Sequence, residues 1–408
     1  MLLGHAPPVW MVIAWDVTLV MGVFLGMVST IGFIAIWAER KVAARIQHRH
    51  GPNRVGPLGI LQSLADGIKL VSKEDLLPAR ADAVLFFLAP YLAFAPVFVA
   101  FMALPFGPDF IFERRLSVSL LWVLAVLGVE VIGVILAGWS SNNKWSVYGA
   151  MREACQLISY EIPLGLSMLV VVLTVGTLDL VRLSSVQANA LTDWLVFRQP
   201  FTALACGVFF VASLASNKRA PFDLPESDSE LVAGYHTEYS GLRFSLFFLA
   251  EYCAMFVMSG VMVALFLGGW ADPFGLIARG YARAIADGGR WSPLIWNAAA
   301  AGVFTGKCAV IMFIQMWVRW TLPRPRIDQV LHTCVKVMNP LALTLLLGSA
   351  VWELIVTHGS AAGRLTRALL AAGGVGVTAA ILCVIALAFL RGRHDQRRLS
   401  DPWPTGGQ

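Results

Sequence analysis

The chain has 408 residues, of which 58% are hydrophobic and only 14% charged, and its mean hydropathy is +0.71. A water-soluble domain needs a polar surface that this composition does not supply, so the class it indicates is a polytopic membrane protein. The formal net charge of +6 comes from 31 basic against 25 acidic residues, and topology accounts for it without any nucleic-acid partner.

A membrane span needs about 20 mostly apolar residues. Nine stretches qualify, at roughly 15–37, 83–104, 117–138, 154–176, 200–216, 244–267, 296–318, 341–357 and 368–390. Each is expected to be helical, because lipid offers no partner to a backbone polar group. The expected fold is therefore all-α, one membrane domain over 1–408 with about nine transmembrane helices. With the N-terminus outside, the inward segments 38–82, 139–152, 216–243, 319–340 and 391–408 hold 21 of the 31 Lys and Arg, the outward loops hold nine, and Lys307 lies within a span. Such a bias orients the N-terminus outward and the C-terminus inward.

The first inward loop, 38–82, opens with "ERKVAARIQHRHGPNRVGP". Its Glu39, Arg40 and Lys41 read as interfacial anchors, and "GPNRVGP" as a rigid turn. In the following segment, Leu61, Leu64, Ala65, Ile68 and Val71 fall on one helical face and Gln62, Asp66, Lys69 and Lys73 on the other. The spacing predicts an amphipathic helix over 58–72, lying in the interface. It could pack on lipid headgroups, or it could wall an opening for a lipid-soluble substrate. The loop 139–152 is short and polar. The loop 319–340 contains "RWTLPRPRIDQV", whose prolines predict an extended segment. Its Arg319, Arg324 and Arg326 could meet an anionic partner, lipid phosphate or an acidic loop. The tail 391–408 is basic.

Five ionisable residues lie inside predicted spans: Glu130, Glu161, Glu251, Lys307 and Glu353. Each costs at least about 2.5–3.5 kcal/mol to insert, so each is expected to face a cavity or a partner, and together they resemble a proton or ion path. Pro163 removes one backbone donor and frees the carbonyl of Ser159. With Glu161, that carbonyl is expected to make a polar spot in the fourth span.

The stretch 219–241, "RAPFDLPESDSELVAGYHTEYSG", concentrates Asp223, Glu226, Asp228, Glu230 and Glu238, with no Lys or Arg between Arg219 and Arg243. Apolar and aromatic residues interleave with the acids, and the stretch leads within one helix to Glu251. A partly buried acidic funnel entering the membrane from the inside fits this pattern better than a solvated loop. Glu238, Glu251 and Glu161 are expected to align in depth along it.

The six cysteines are dispersed with no C-x-x-C, the seven histidines are scattered, and no Gly-rich nucleotide loop occurs. The chain itself is therefore expected to bind no metal or iron–sulfur cluster.

The two long segments "ERKVAARIQHRHGPNRVGPLGILQSLADGIKLVSKED" and "RAPFDLPESDSELVAGYHTEYSGLRFSLFFLAEY", with "GWSSNNKWSVYGAMREACQLISYEIPL" and "PRPRIDQV", resemble the signature segments of the H-subunit family of bacterial NADH–quinone oxidoreductase, respiratory complex I. That family is homologous to mitochondrial NADH dehydrogenase subunit 1, and the likeness runs in order over roughly 15–357. It implies a subunit of a quinone-reducing, proton-translocating enzyme in the bacterial inner membrane. Its partners would be the hydrophilic quinone-site subunits and small membrane-arm subunits, with FMN and iron–sulfur clusters held by partners and quinone as substrate. It implies a quinone chamber and entry near Glu39, Arg40, Arg49, Asp66 and Phe248. It implies an acidic funnel of Asp223, Glu226, Asp228, Glu230, Glu238 and Glu251, continued by Glu161 and Glu130, with Arg152 and Arg219 as basic partners. One departure is Asp228, where the family usually carries a Glu one methylene longer. A homologous membrane subunit of an energy-converting hydrogenase is the nearest alternative, and an ion-coupled transporter the more distant one. The transporter reading calls for internal repeats, and none is found.

Overall fold

The computed structural model describes residues 9–108, 116–225, 228–286 and 292–358. Among the described residues there is no β-strand. The α-helices are α1 (Val9–Ile46), α2 (Gln62–Ser72), α3 (Ala83–Phe101), α4 (Ser119–Ser140), α5 (Lys144–Val175), α6 (Leu180–Val186) and α7 (Leu195–Arg198), followed by α8 (Pro200–Ser216), α9 (Asp228–Leu231), α10 (Gly241–Phe266), α11 (Leu276–Ala286), α12 (Ser292–Thr321), α13 (Ile327–Thr333) and α14 (Asn339–His358). Five of these (α3, α4, α5, α10 and α12), together with the run Ile327–Leu354, are long and apolar enough to cross a membrane, and Pro200–Ser216 is apolar but shorter. The first predicted span falls within the 38-residue α1. The ninth, 368–390, and the basic tail lie outside the described residues. The chain is a polytopic helical membrane protein.

Local chemistry sets the helix ends. Asp82 caps α3 by accepting from the N–H of Val84 and Leu85, and Asn143 caps α5 by accepting from Trp145 N–H. Both side chains satisfy donors that have no partner within a helix. Gly176 closes α5 in the left-handed conformation at φ 78°, which a residue with a Cβ adopts at a cost. At about 1.5 Å per residue, the 32 residues of α5 and the 38 of α1 exceed the roughly 30 Å hydrocarbon core. The turns that carry Glu153 and Glu39 therefore reach the interface.

The core forms around α10. Every residue from Tyr252 to Phe266 is buried, as expected of a helix that is apolar all round. It packs against α1, α3, α8 and α12. α3 and α4 approach closely at Gly133, where a Cβ would lie 2.5 Å from the Ala93 nitrogen.

Three segments differ from the expectation. The loop 139–152 is mostly helix, because α5 begins at Lys144. The segment 319–340 is extended only over 323–326, where the prolines exclude helix, and is helical from Ile327. α2 begins at Gln62, after a 3₁₀ turn at Pro57–Gly59, so the predicted amphipathic helix is shorter at its start.

Candidate functional site

The C-terminal end of α8 leads into two buried cations that gather carboxylates from α1, α4, α5 and α10. Lys218 and Arg219 follow α8 after its C-cap Asn217, and Lys218 takes a left-handed backbone at φ 55°. A non-glycine residue there costs about 1–3 kcal/mol and persists only when its surroundings fix it. Here, the side chain is fixed on both sides. Lys218 Nζ donates to Glu130 Oε1 at 2.8 Å and lies 2.5 Å from Glu153 Oε1, with its ammonium 5.5 Å from the Tyr235 ring centroid. Glu153 and Lys218 are buried. Tyr235 reaches this position because Gly149 of α5 lets the chain at Gly234 approach, where a Cβ would lie 2.7 Å from Gly234 Cα.

Arg219 serves a second set of carboxylates. Its Nη1 donates to Glu39 Oε2 at 3.0 Å, and its Nε lies 2.9 Å from Glu251 Oε1. Arg319 reaches the other oxygen of Glu39 at 2.5 Å. Asp223, buried near these groups, accepts from Arg324 at 3.1 Å. Burial pushes its carboxyl up to about 6, against the opposing pull of Arg324 and Arg319. Arg319 in the last turn of α12 and Arg324 just beyond it thus bind Glu39 and the acidic loop within the same chain.

The remaining acids form a rim. Glu230 pairs with Arg152, and Glu238 accepts from Asn143 Nδ2 at 2.6 Å. Asp228 begins the short α9, and Glu226 lies outside the described residues. Glu238, Glu251 and Glu161, expected to align in depth, have three separate sets of neighbours. Glu238 sits on Asn143 and Glu251 on Arg219. Glu161 borders a cavity of about 40 Å³ together with Glu130, Asn217 and Ser216. That volume holds a water molecule, and the polar lining supplies partners for one. The carbonyl freed by Pro163 is not part of this cavity. Ser159 O instead accepts from Cys334 Sγ at 2.9 Å, where a π-helical turn at Cys334–Met338 joins α13 to α14.

A larger cavity of about 610 Å³ lies between α1, α2 and the start of α10. Phe33, Ile36, Leu64, Ile68, Val71 and Phe248 give it apolar walls, and the Arg40–Asp66 ion pair supplies its charge. Size and lining suit a small amphiphilic ligand. Phe248 packs edge-on against Tyr252 at 5.0 Å, and the Arg219 guanidinium lies over the Tyr252 ring at 4.2 Å. One aromatic pair therefore joins the cavity wall to the Glu39–Arg219–Glu251 cluster. Arg49 stands apart, exposed, with its Nε donating to Gln47 at 2.7 Å.

Several of these groups are not evident from the sequence. Glu153 and Lys218 look like loop charges there, although Glu153 shares a helical face with Ala150, Leu157 and Tyr160, which is a readable signal. Lys307 pairs with no glutamate among the described residues. Its ammonium donates to the carbonyls of Leu267, Gly269 and Ala271 at 2.6–3.0 Å and lies 4.1 Å from the Trp194 ring. It caps the C-terminal end of α10.

Fold and site together define a multi-pass membrane protein in which an apolar cavity adjoins a buried network of ion pairs. The family model for NADH dehydrogenase matches residues 18–350, and the chain belongs to that family. It is 43% identical over 366 residues to the NADH-quinone oxidoreductase H subunit of Anaeromyxobacter dehalogenans, covering 89% of this chain and 86% of that protein. The corresponding protein of Chlorobaculum tepidum is 42% identical over 79% of this chain and 88% of its own length. That of Geobacillus thermodenitrificans is 44% identical, covering 80% and 91%.

Proposed function

We propose that this chain is the quinone-side membrane subunit of a proton-translocating NADH–quinone oxidoreductase, set in the bacterial inner membrane with its N-terminus periplasmic and its C-terminus cytoplasmic. The observation that carries this reading is the continuous contact from the 610 Å³ cavity through Phe248 and Tyr252 to Arg219. A quinone head group would rest among the residues of α1, α2 and α10, near the Arg40–Asp66 pair. Hydrophilic-arm partners would hold the FMN and iron–sulfur clusters and deliver the electrons.

Reduction places negative charge and a demand for protons beside Tyr252. Arg219 is shared between Glu39 and Glu251, so a new charge there redistributes its attraction between the two carboxylates. Lys218, the preceding residue, holds Glu130 and Glu153. The two clusters thus meet across one peptide bond. Glu130 borders the water-sized cavity that also meets Glu161, which offers a route toward neighbouring membrane subunits. The cavity favours this reading over membership of an energy-converting hydrogenase, which has no quinone to house.

A photoreactive quinone analogue applied to the assembled complex tests the reading. Labelling is expected on the peptides carrying Leu64–Val71 and Phe244–Leu249, and Phe248→Ala is expected to reduce it. Labelling of the complex that spares both peptides would rule the cavity out.

A further inference from the structure

The short polar turn between α4 and α5 builds a second cavity, of about 670 Å³, with the start of α3. Two long-range contacts hold it together. Asp82 N–H donates to Ser140 O at 3.1 Å, and Asn142 Nδ2 donates to Arg80 O at 3.1 Å. These contacts bring Arg80 and Lys144, 64 positions apart in the numbering, to one rim. The only carboxylate in the lining is Asp82, whose Oδ1 already accepts from the N–H of Val84 and Leu85. The rim therefore carries a net positive charge. Elsewhere, the buried cations near the helix ends are spent on carboxylates, as with Lys218, Arg219 and Arg243.

The surroundings are those of a membrane interface. Trp139 is 65% exposed and Tyr148 59% exposed, both in the lining, and rings with an apolar body and a polar edge concentrate at the level of lipid headgroups. Directly along α3 from the cavity, Val84, Leu88 and Tyr91 form an exposed stripe at helical spacing. An apolar stripe running from a cationic rim matches an acyl chain below a phosphate.

We propose that this cavity binds the phosphate of an anionic diacyl phospholipid, with Arg80 and Lys144 holding the headgroup, Trp139 and Tyr148 flanking it at the interface, and Val84, Leu88 and Tyr91 receiving a chain. The stripe selects a lipid over free phosphate, which would use only the rim. The inference rests on membrane embedding and is independent of the quinone reading. Each basic residue near an anionic headgroup contributes about a fivefold gain in affinity, so the pair supplies roughly 25-fold.

The test uses the assembled complex in vesicles of phosphatidylcholine doped with photoactivatable phosphatidylglycerol. Crosslinks are expected on the peptides around 80–91 and 139–148. They should fall at least about fivefold in the double variant Arg80→Gln/Lys144→Gln, persist in Arg80→Lys/Lys144→Arg, and survive added inorganic phosphate. Photoactivatable phosphatidylcholine should label these peptides weakly. Equal labelling by the two lipids in the unaltered complex overturns the proposal, and this comparison stands even if the glutamine variant fails to assemble. Full competition by inorganic phosphate, or crosslinking of these peptides to a neighbouring subunit in place of lipid, overturns it as well.

Discussion

Lys218 is the sharpest point at which to perturb the network. Its ammonium lies 2.8 Å from Glu130 and 2.5 Å from Glu153 and is buried. At an effective dielectric near 20, each contact represents roughly 6 kcal/mol of attraction, most of it offset by stripping three ions of water. Lys218→Met removes the cation and leaves both carboxylates behind. Breaking a buried ion pair in this way costs about 3–5 kcal/mol, which corresponds to a loss of about 10 °C in melting temperature for a domain of ordinary size. Glu153→Gln should cost less, because Lys218 keeps Glu130 and the Tyr235 ring. The double variant Lys218→Met/Glu153→Gln should recover much of the loss, since one of the two unpaired buried charges is gone and Glu130 borders a water-sized cavity. The assay is the melting temperature of the detergent-purified complex, with native gels reporting assembly. A Lys218→Met complex that melts with the wild type, or that gains nothing from Glu153→Gln, would refute the reasoning.

Three further outcomes follow from the geometry. Asp223 titrates near 6 rather than at its ordinary 3.8. Between those values the folded chain keeps a proton the unfolded chain has released, so stability falls as pH rises through that window. Asp223→Asn should flatten this slope and remove an infrared carboxyl band titrating near pH 6. Cys334→Ala should cost about 1–3 kcal/mol by leaving Ser159 O without its donor, whereas Cys334→Ser should melt close to wild type. Lys307→Met uncaps three carbonyls at the C-terminal end of α10 and should increase proteolysis of the 267–275 loop, with quinone reduction affected only through stability.

The helices are legible in the sequence because hydropathy and length decide them, and eight of the nine predicted spans fall on helices of the described chain. Their ends are less legible. The cap at Asn143 starts α5 ten residues before the apolar run, within what reads as a polar loop. The acids of the site are visible in the sequence, and the family resemblance implies Arg152 and Arg219 as basic partners, but the pairings of Arg319 and Arg324 stay open there. Arg319 and Arg324 lie about a hundred positions from Asp223 in the chain, and only the packing of α12 beside α1 and α10 brings them to Glu39 and Asp223. Local charge counting makes the acidic stretch look unbalanced for the same reason. Its balance comes from Arg152 on Glu230 and Arg324 on Asp223. The divergence of Lys218 and Arg219 into separate clusters depends on a left-handed backbone at Lys218, which no side-chain pattern announces. Pro163 does free a carbonyl, but the donor that answers it, Cys334, sits on a helix 175 positions away.

In the proposed function, charge at the cavity reaches Glu130 and Glu161 through the adjoining ion-pair clusters of Arg219 and Lys218. The most direct test is the Glu130→Gln complex reconstituted in vesicles, with NADH–quinone reduction and proton uptake recorded together and NADH oxidation by a hydrophilic acceptor as the control. The account predicts that proton translocation and quinone reduction fall together while the hydrophilic-acceptor rate holds. Wild-type translocation and quinone reduction in a fully assembled Glu130→Gln complex would contradict it.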